Sequence, residues 1–258
     1  DQGWVFKKND QYWDKNNVKL DQVNYKVVKQ TPTAIQLYQT GKLDYVKLDT
    51  EYITQFENNK ELHKGNLSAN SEFIRLNEKN KALANKNIRL ALYNAFDRSQ
   101  MTKTLMKDGS APARYIVPKD FTKSPEGTDF REANPEISKM SVQQAQKLFK
   151  KGLKQLGTDK ITIKLMYHEG TLDDKRSVYI QNQLEKNLPG LTVKLQKETY
   201  NQHLKLEGAM KYDMSLWGWL PDYKDPITYL DMWVTDSPFN RTGYANPKYD
   251  ALIKKANN

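Results

Sequence analysis

Between Ser141 and Trp217 the apolar residues switch repeatedly between helical and strand spacing, and that alternation leaves few folds open. Ser141 with Gln144 forms a capping-box pair ahead of Val142, Ala145, Leu148 and Phe149 on one helical face, and Gly157 supplies the stop. Ile161, Ile163, Leu165 and Tyr167 then alternate as a half-buried strand. Thr171-Leu172-Asp173-Asp174 reads as a second capping box, opening a helix with Val178, Ile180, Leu184 and Leu188 turned inward until Pro189-Gly190. Leu191, Val193 and Leu195 predict a second strand, Tyr200 to about Met210 a further helix, and Tyr212-Asp213-Met214-Ser215-Leu216 a third strand. A β-α-β-α-β succession of this kind calls for right-handed crossovers and an α/β domain.

Composition agrees with a globular chain. Of 258 residues, 38% are hydrophobic and 11% aromatic, enough for a sizeable core. The absence of cysteine excludes a disulfide framework, cysteinyl zinc and thiol nucleophiles, and it suits an oxidising exterior. No apolar run is long enough for a signal or membrane helix. The net charge of +10 raises nucleic acid as a partner, but the lysines are scattered and often adjoin acids, as in Asp173-Asp174-Lys175-Arg176 and Lys197-Glu198. A solvated surface is expected, with no nucleic-acid partner and an affinity for an anionic cell envelope.

Catalytic material is thin. His63, His168 and His203 lie far apart with no metal-ligand spacing, and each is expected on the surface or satisfied in the core. His168-Glu169 has the residue types of an acid/base pair, but Glu169-Gly170-Thr171 reads better as the loop into a helix cap. No Gly-x-Ser-x-Gly, P-loop or Gly-x-Gly-x-x-Gly occurs. The expectation is a non-enzyme without metal or cofactor.

The candidate site is Leu216-Trp217-Gly218-Trp219-Leu220-Pro221-Asp222-Tyr223, where the third strand runs out and Gly218 and Pro221 turn the chain outward. Ligand groups collect at such strand ends in open α/β sheets. An Asp beside indole faces accepts charge-assisted hydrogen bonds from an ammonium while the ring packs on adjoining atoms. The alternative is that Trp217 and Trp219 are core residues and Asp222 caps a helix entered near Asp225-Pro226. Tyr223 is a candidate lining residue. Trp233 is expected in core packing and Asn240-Arg241-Thr242-Gly243-Tyr244 in turn chemistry.

Further motifs run along the chain: Gly3-Trp4-Val5-Phe6, Tyr12-Trp13-Asp14, and Gly41-Lys42-Leu43-Asp44 after a helix with Ala34, Leu37 and Tyr38. A middle block reads Phe73-Ile74-Arg75-Leu76-Asn77, Asn87-Ile88-Arg89-Leu90-Ala91-Leu92, Ala95-Phe96-Asp97-Arg98 and Gly109-Ser110-Ala111-Pro112-Ala113. In order, spacing and type these resemble the extracellular solute-binding proteins of the oligopeptide, dipeptide and nickel family, receptors of ABC importers, and above all the oligopeptide branch. The resemblance implies a type II periplasmic-binding-protein-like α/β fold. It also implies that Asp222 holds the α-ammonium of a bound peptide, with Trp219 beside it and Gly218 at the strand end.

The chain departs from the family pattern at Asn87, at Asn9-Asp10-Gln11, and at Leu216 and Trp217 ahead of the glycine. Family members are much longer, with a signal peptide, an acylated Cys and a long first lobe. This chain therefore reads as a fragment, with residues 1–70 a returning piece of lobe one and 71–258 most of lobe two, cut short at its C-terminal end. The resemblance implies a monomeric receptor for short peptides, lipid-anchored at the extracellular face of the membrane and partnered by permease and ATPase subunits. Exposed strand edge near Ser215 to Gly218 would pair with peptide backbone. Lys205, Lys175 and Arg176 are unassigned candidates for a peptide carboxylate. The alternatives are a signal-peptide or pheromone receptor, and a nickel- or haem-binding member of the family.

Overall fold

Residues 2–28, 30–63, 68–136 and 139–257 are described by the structure, a computed structural model, and the chain divides into units 1–64 and 65–258. In the first unit, β1 (Gly3–Lys7) pairs antiparallel with β2 (Gln22–Lys26), Gly3 opposite Lys26. Trp4 stacks on Tyr25 at 5.4 Å. Gly3 has φ +154°, and a Cβ there would lie 2.0 Å from the Tyr25 carbonyl oxygen, so only glycine closes the pair. Helix α1 (Thr31–Gln39), with Pro32 in its first turn, buries Ala34 and Ile35, and the short α2 (Thr50–Ile53) follows.

The second unit begins with β3 (Ser71–Leu76), α3 (Lys86–Asn94) and the short helices α4 (Arg98–Gln100) and α5 (Phe130–Ala133). Asn85 caps α3, its Oδ1 accepting from the Asn87 and Ile88 amides. Then come α6 (Val142–Leu156), β4 (Ile161–His168), α7 (Thr171–Asn187), β5 (Leu191–Glu198), α8 (Tyr200–Gly208) and β6 (Met214–Trp219). Two helices close the series, α9 (Ile227–Leu230) and α10 (Pro247–Ala256).

The expected capping box on α6 is present in both halves, Ser141 Oγ accepting from the Gln144 amide and Gln144 Oε1 from the Ser141 amide. Gly157 ends the helix at φ +70°. The helix start is displaced by one residue from the second expected box: α7 begins at Thr171 itself, so the cap position falls on Gly170. Val178 is 44% exposed rather than inward, and Ser177 is buried in its place. Two residues along a helix amount to about 200° of rotation, so Val178 cannot share a face with Ile180, Leu184 and Leu188.

The sheet order is β3-β6-β4-β5, with β4 parallel to both β5 and β6, and β3 antiparallel to β6. On one face Ile88, Ala91, Phe149, Leu153, Ile180 and Leu184 pack against Ile163, Leu165, Val193, Met214 and Leu216. Burying each such side chain contributes about 1.5–3 kcal/mol, which makes this layer the chief stabiliser of the unit. At Gly152 a Cβ would meet Ile88 Cδ1 at 2.6 Å, so the glycine sets how closely α6 approaches α3. Helix α8 covers the opposite face through His203 and Glu207.

The third strand is not the segment predicted. It starts at Met214 and runs through Gly218 to Trp219, because β3 pairs with it over its whole length, from Ser71 opposite Trp219 to Leu76 opposite Met214. The chain bends only beyond the strand end, at 222–225. Among the described residues no helix is long and apolar enough to cross a membrane.

Candidate functional site

From β4 the chain reaches β5 through α7 on one face of the sheet, and from β5 it reaches β6 through α8 on the other. The connections leaving the C-terminal ends of β4 and β5 thus go to opposite faces, and open α/β sheets bind ligands in the crevice such a switch opens. Strand β6 ends beside β4 at that same end of the sheet. The two strands pair only at Leu165–Met214 and Met166–Ser215. Beyond Ser215, the edge of β6 facing β4 has no ladder partner among the described residues, placing the free edge at Leu216–Trp219.

Four rings from three elements meet at this crevice. Trp217 lies 5.0 Å from His203, 6.0 Å from Tyr200 in a stacked pair and 6.5 Å from His168. His168 and His203, 35 positions apart in the chain, come to 5.9 Å. The fold therefore brings together two of three histidines whose spacing gave no such signal.

Beneath the rings lies a buried polar chain. His203 Nε2 is 2.7 Å from Ser215 Oγ, which donates to Glu207 Oε1 at 2.9 Å. Glu207 Oε2 pairs with Arg75 at 3.3 Å and Arg241 at 3.1 Å. Because the serine's one proton goes to Glu207, His203 must donate through Nε2, leaving Nδ1 as the bare nitrogen. Burial lowers the His203 pKa and so favours this neutral ring. Its Nδ1 has no hydrogen-bond partner among the described residues. Arg75 also packs over Phe73 and Trp233, at 5.5 and 5.9 Å, which gives Trp233 its place.

His168 pairs not with Glu169, which is exposed, but with Asp173 on α7, Nε2 to Oδ2 at 3.1 Å. Asp173 also engages Arg176, which in turn reaches Glu72. Burial raises the Asp173 carboxyl and draws the Arg176 guanidinium down to about 10. Arg176 is thus committed to two carboxylates, whereas Lys205 is exposed.

The predicted ammonium site falls just past β6. Trp217, Gly218 and Trp219 are half-buried, while Asp222 and Tyr223 are exposed. One hydroxyl ties the segment together: Thr228 Oγ1 accepts from Trp219 Nε1 and from the Asp222 amide, each at 3.4 Å. Trp219 also meets Phe239 edge-on at 5.2 Å. Helix α9 has Pro226 at its N-cap, and it is Asp225, not Asp222, whose Oδ1 accepts from the Ile227 amide, at 2.8 Å. That leaves the Asp222 carboxylate with no ion pair or hydrogen bond among the described residues. Several carboxylates lie close together here. Burial raises the Tyr223 hydroxyl, and the carboxylates of Asp231, Asp225 and Asp222 raise it further. Asp231 is likewise raised, first by burial and then by Asp222. A cation placed beside Asp222 relieves this repulsion. Among the described residues, no three His, Cys, Asp or Glu side chains are placed to hold a metal ion.

Residues 1–241 match the family described as bacterial extracellular solute-binding proteins, family 5 Middle. The dipeptide-binding protein DppE of Bacillus subtilis is 36% identical over 263 residues, an alignment spanning 100% of this chain and 47% of DppE. OppA of Listeria monocytogenes bound to peptide has a TM-score of 0.91 at 40% identity, over 98% of this chain and 51% of that one. The pheromone receptor PrgZ has a TM-score of 0.89 at 35% identity, over 98% of this chain and 50% of that one. The chain spans about half the length of these relatives. Its fold is that of the OppA-type periplasmic binding proteins. By the extent of the family match, the chain belongs to the bacterial extracellular solute-binding proteins of family 5.

Proposed function

We propose that this chain is part of a receptor that captures short peptides for an ABC importer. In this reading residues 1–70 belong to one lobe and 71–258 to the other, and closure of the lobes traps the ligand. Asp222 takes the peptide α-ammonium, Trp219 and Tyr223 flank it, and the free β6 edge at Leu216, Trp217, Gly218 and Trp219 pairs with peptide backbone. The observation that carries the reading is the exposed Asp222 carboxylate, without an ion pair or hydrogen bond among the described residues, on a segment whose backbone shares the Thr228 hydroxyl with the half-buried Trp219 indole. The names of DppE and of peptide-bound Listeria OppA support the ligand class. The receptor works as a monomer, lipid-anchored at the extracellular face of the cell membrane, and hands its cargo to permease and ATPase subunits without a catalytic step.

A pheromone or other signal-peptide receptor is the second reading, favoured by the likeness to PrgZ. Both readings are tested by mass spectrometry of ligands released from the full-length gene product. Mixed short peptides indicate uptake, and a single sequence indicates signalling. Haem, nickel or sugar in place of peptide would overturn the proposal.

A further inference from the structure

Helix α6 carries Lys147, Lys150, Lys151 and Lys154 and no Asp or Glu. At about 100° per residue, the four lysines fall in a wedge about 100° wide, directly opposite the buried Ala145, Phe149, Gly152 and Leu153. All four are exposed. They are neighbours at three- and four-residue spacing, so each like-charge pair opposes the helix. None forms an ion pair among the described residues. The packed neighbour α3 also lacks Asp and Glu, and adds an exposed Lys86.

We infer that this face of α6 docks onto a bilayer rich in anionic phosphodiester headgroups. Side by side on one exposed helix face, the four cations repel one another, whereas an anionic surface neutralises all four at once. A flat surface can meet all four lysines at once, because they share one wedge about 100° wide, and this favours a bilayer over a ligand held in a cleft. Lys150 and Lys154 also border a groove of about 880 Å³ with Phe149, Leu153 and Pro189, but Asp159 shares its wall, so the groove is not a purely cationic cradle. No large apolar side chain of α6 is exposed, so contact is electrostatic, without insertion, and reversible by salt. Peptide capture is not a premise of this inference.

The test is cosedimentation of the 258-residue chain with vesicles of phosphatidylcholine, alone or mixed with phosphatidylglycerol, at low and at high salt. The variant K147Q/K150Q/K151Q/K154Q is compared with K103Q/K119Q/K211Q/K248Q, which loses the same charge elsewhere, after circular dichroism shows both folded. Binding is expected only to the anionic vesicles and only at low salt. It should fall by the order of a thousandfold in the α6 variant and persist in the control. Equal loss in both variants, undiminished binding in the α6 variant, or binding to soluble polyphosphate but not to vesicles would overturn the inference.

Discussion

Glu207 has no exposed surface, yet it holds two arginines and the hydroxyl that positions His203. Removing its charge leaves Arg75 buried without a counter-ion. Glu207→Gln is therefore expected to destabilise the fold by about 3–5 kcal/mol, read by urea unfolding. A change under 1 kcal/mol, on the order of an exposed pair, would contradict that role. His203 carries a pH dependence of definite sign. Its pKa is depressed by burial, so its contribution to stability is present above its ordinary value of about 6.5 and is lost as pH falls through the folded value. Thermal melts should fall in that window and flatten in His203→Gln; an unchanged slope in the variant would exclude His203 as the cause. Asp173 works in the opposite sense, since a raised carboxyl pKa makes acidification favour the folded state. None of this network was legible in the sequence. Ser215 reads as an ordinary strand residue, and its partners enter from α8, from β3 and from the loop at Arg241. Asp222 drew notice as a carboxylate between indole and tyrosine, but local chemistry left a helix cap equally open, and only the family resemblance favoured an ammonium anchor.

At the scale of elements, signals confined to one turn mostly survived folding, the box read at Thr171 excepted, and those that needed a distant partner did not. The Ser141–Gln144 box and the Gly157 stop are local hydrogen-bond chemistry. The end of β6 was misplaced because its pairing partner, β3, lies more than a hundred residues upstream. Two predictions belong here. Gly152→Ala should cost about 1–3 kcal/mol by overpacking against Ile88, seen as a lowered melting temperature; a neutral result would mean α3 and α6 separate freely. Lys151→Glu should instead stabilise α6 by a few tenths of a kcal/mol, since it turns contacts with Lys147 and Lys154 from repulsive to attractive. A lower melting temperature in that variant would contradict the repulsion along the ridge.

At the scale of the whole molecule, the doubly wound order β3-β6-β4-β5 brings the ring cluster, the free β6 edge and Asp222 to the C-terminal end of one sheet. The α/β class and the alternation from 141 to 217 were readable because each element carries its own periodicity. The antiparallel β3 and the meeting of His168 with Trp217 were not, since both depend on strand order. The central claim is the ammonium anchor. It is tested most directly by calorimetric titration of the full-length gene product and its Asp222→Asn variant with one peptide and its N-acetylated form. Loss of the charge-assisted bond by either change should weaken binding by about 2 kcal/mol, roughly thirtyfold, and the two changes together should cost no more than one. Costs that simply add, or an Asp222→Asn variant that binds the free peptide as tightly as the parent, would contradict the account.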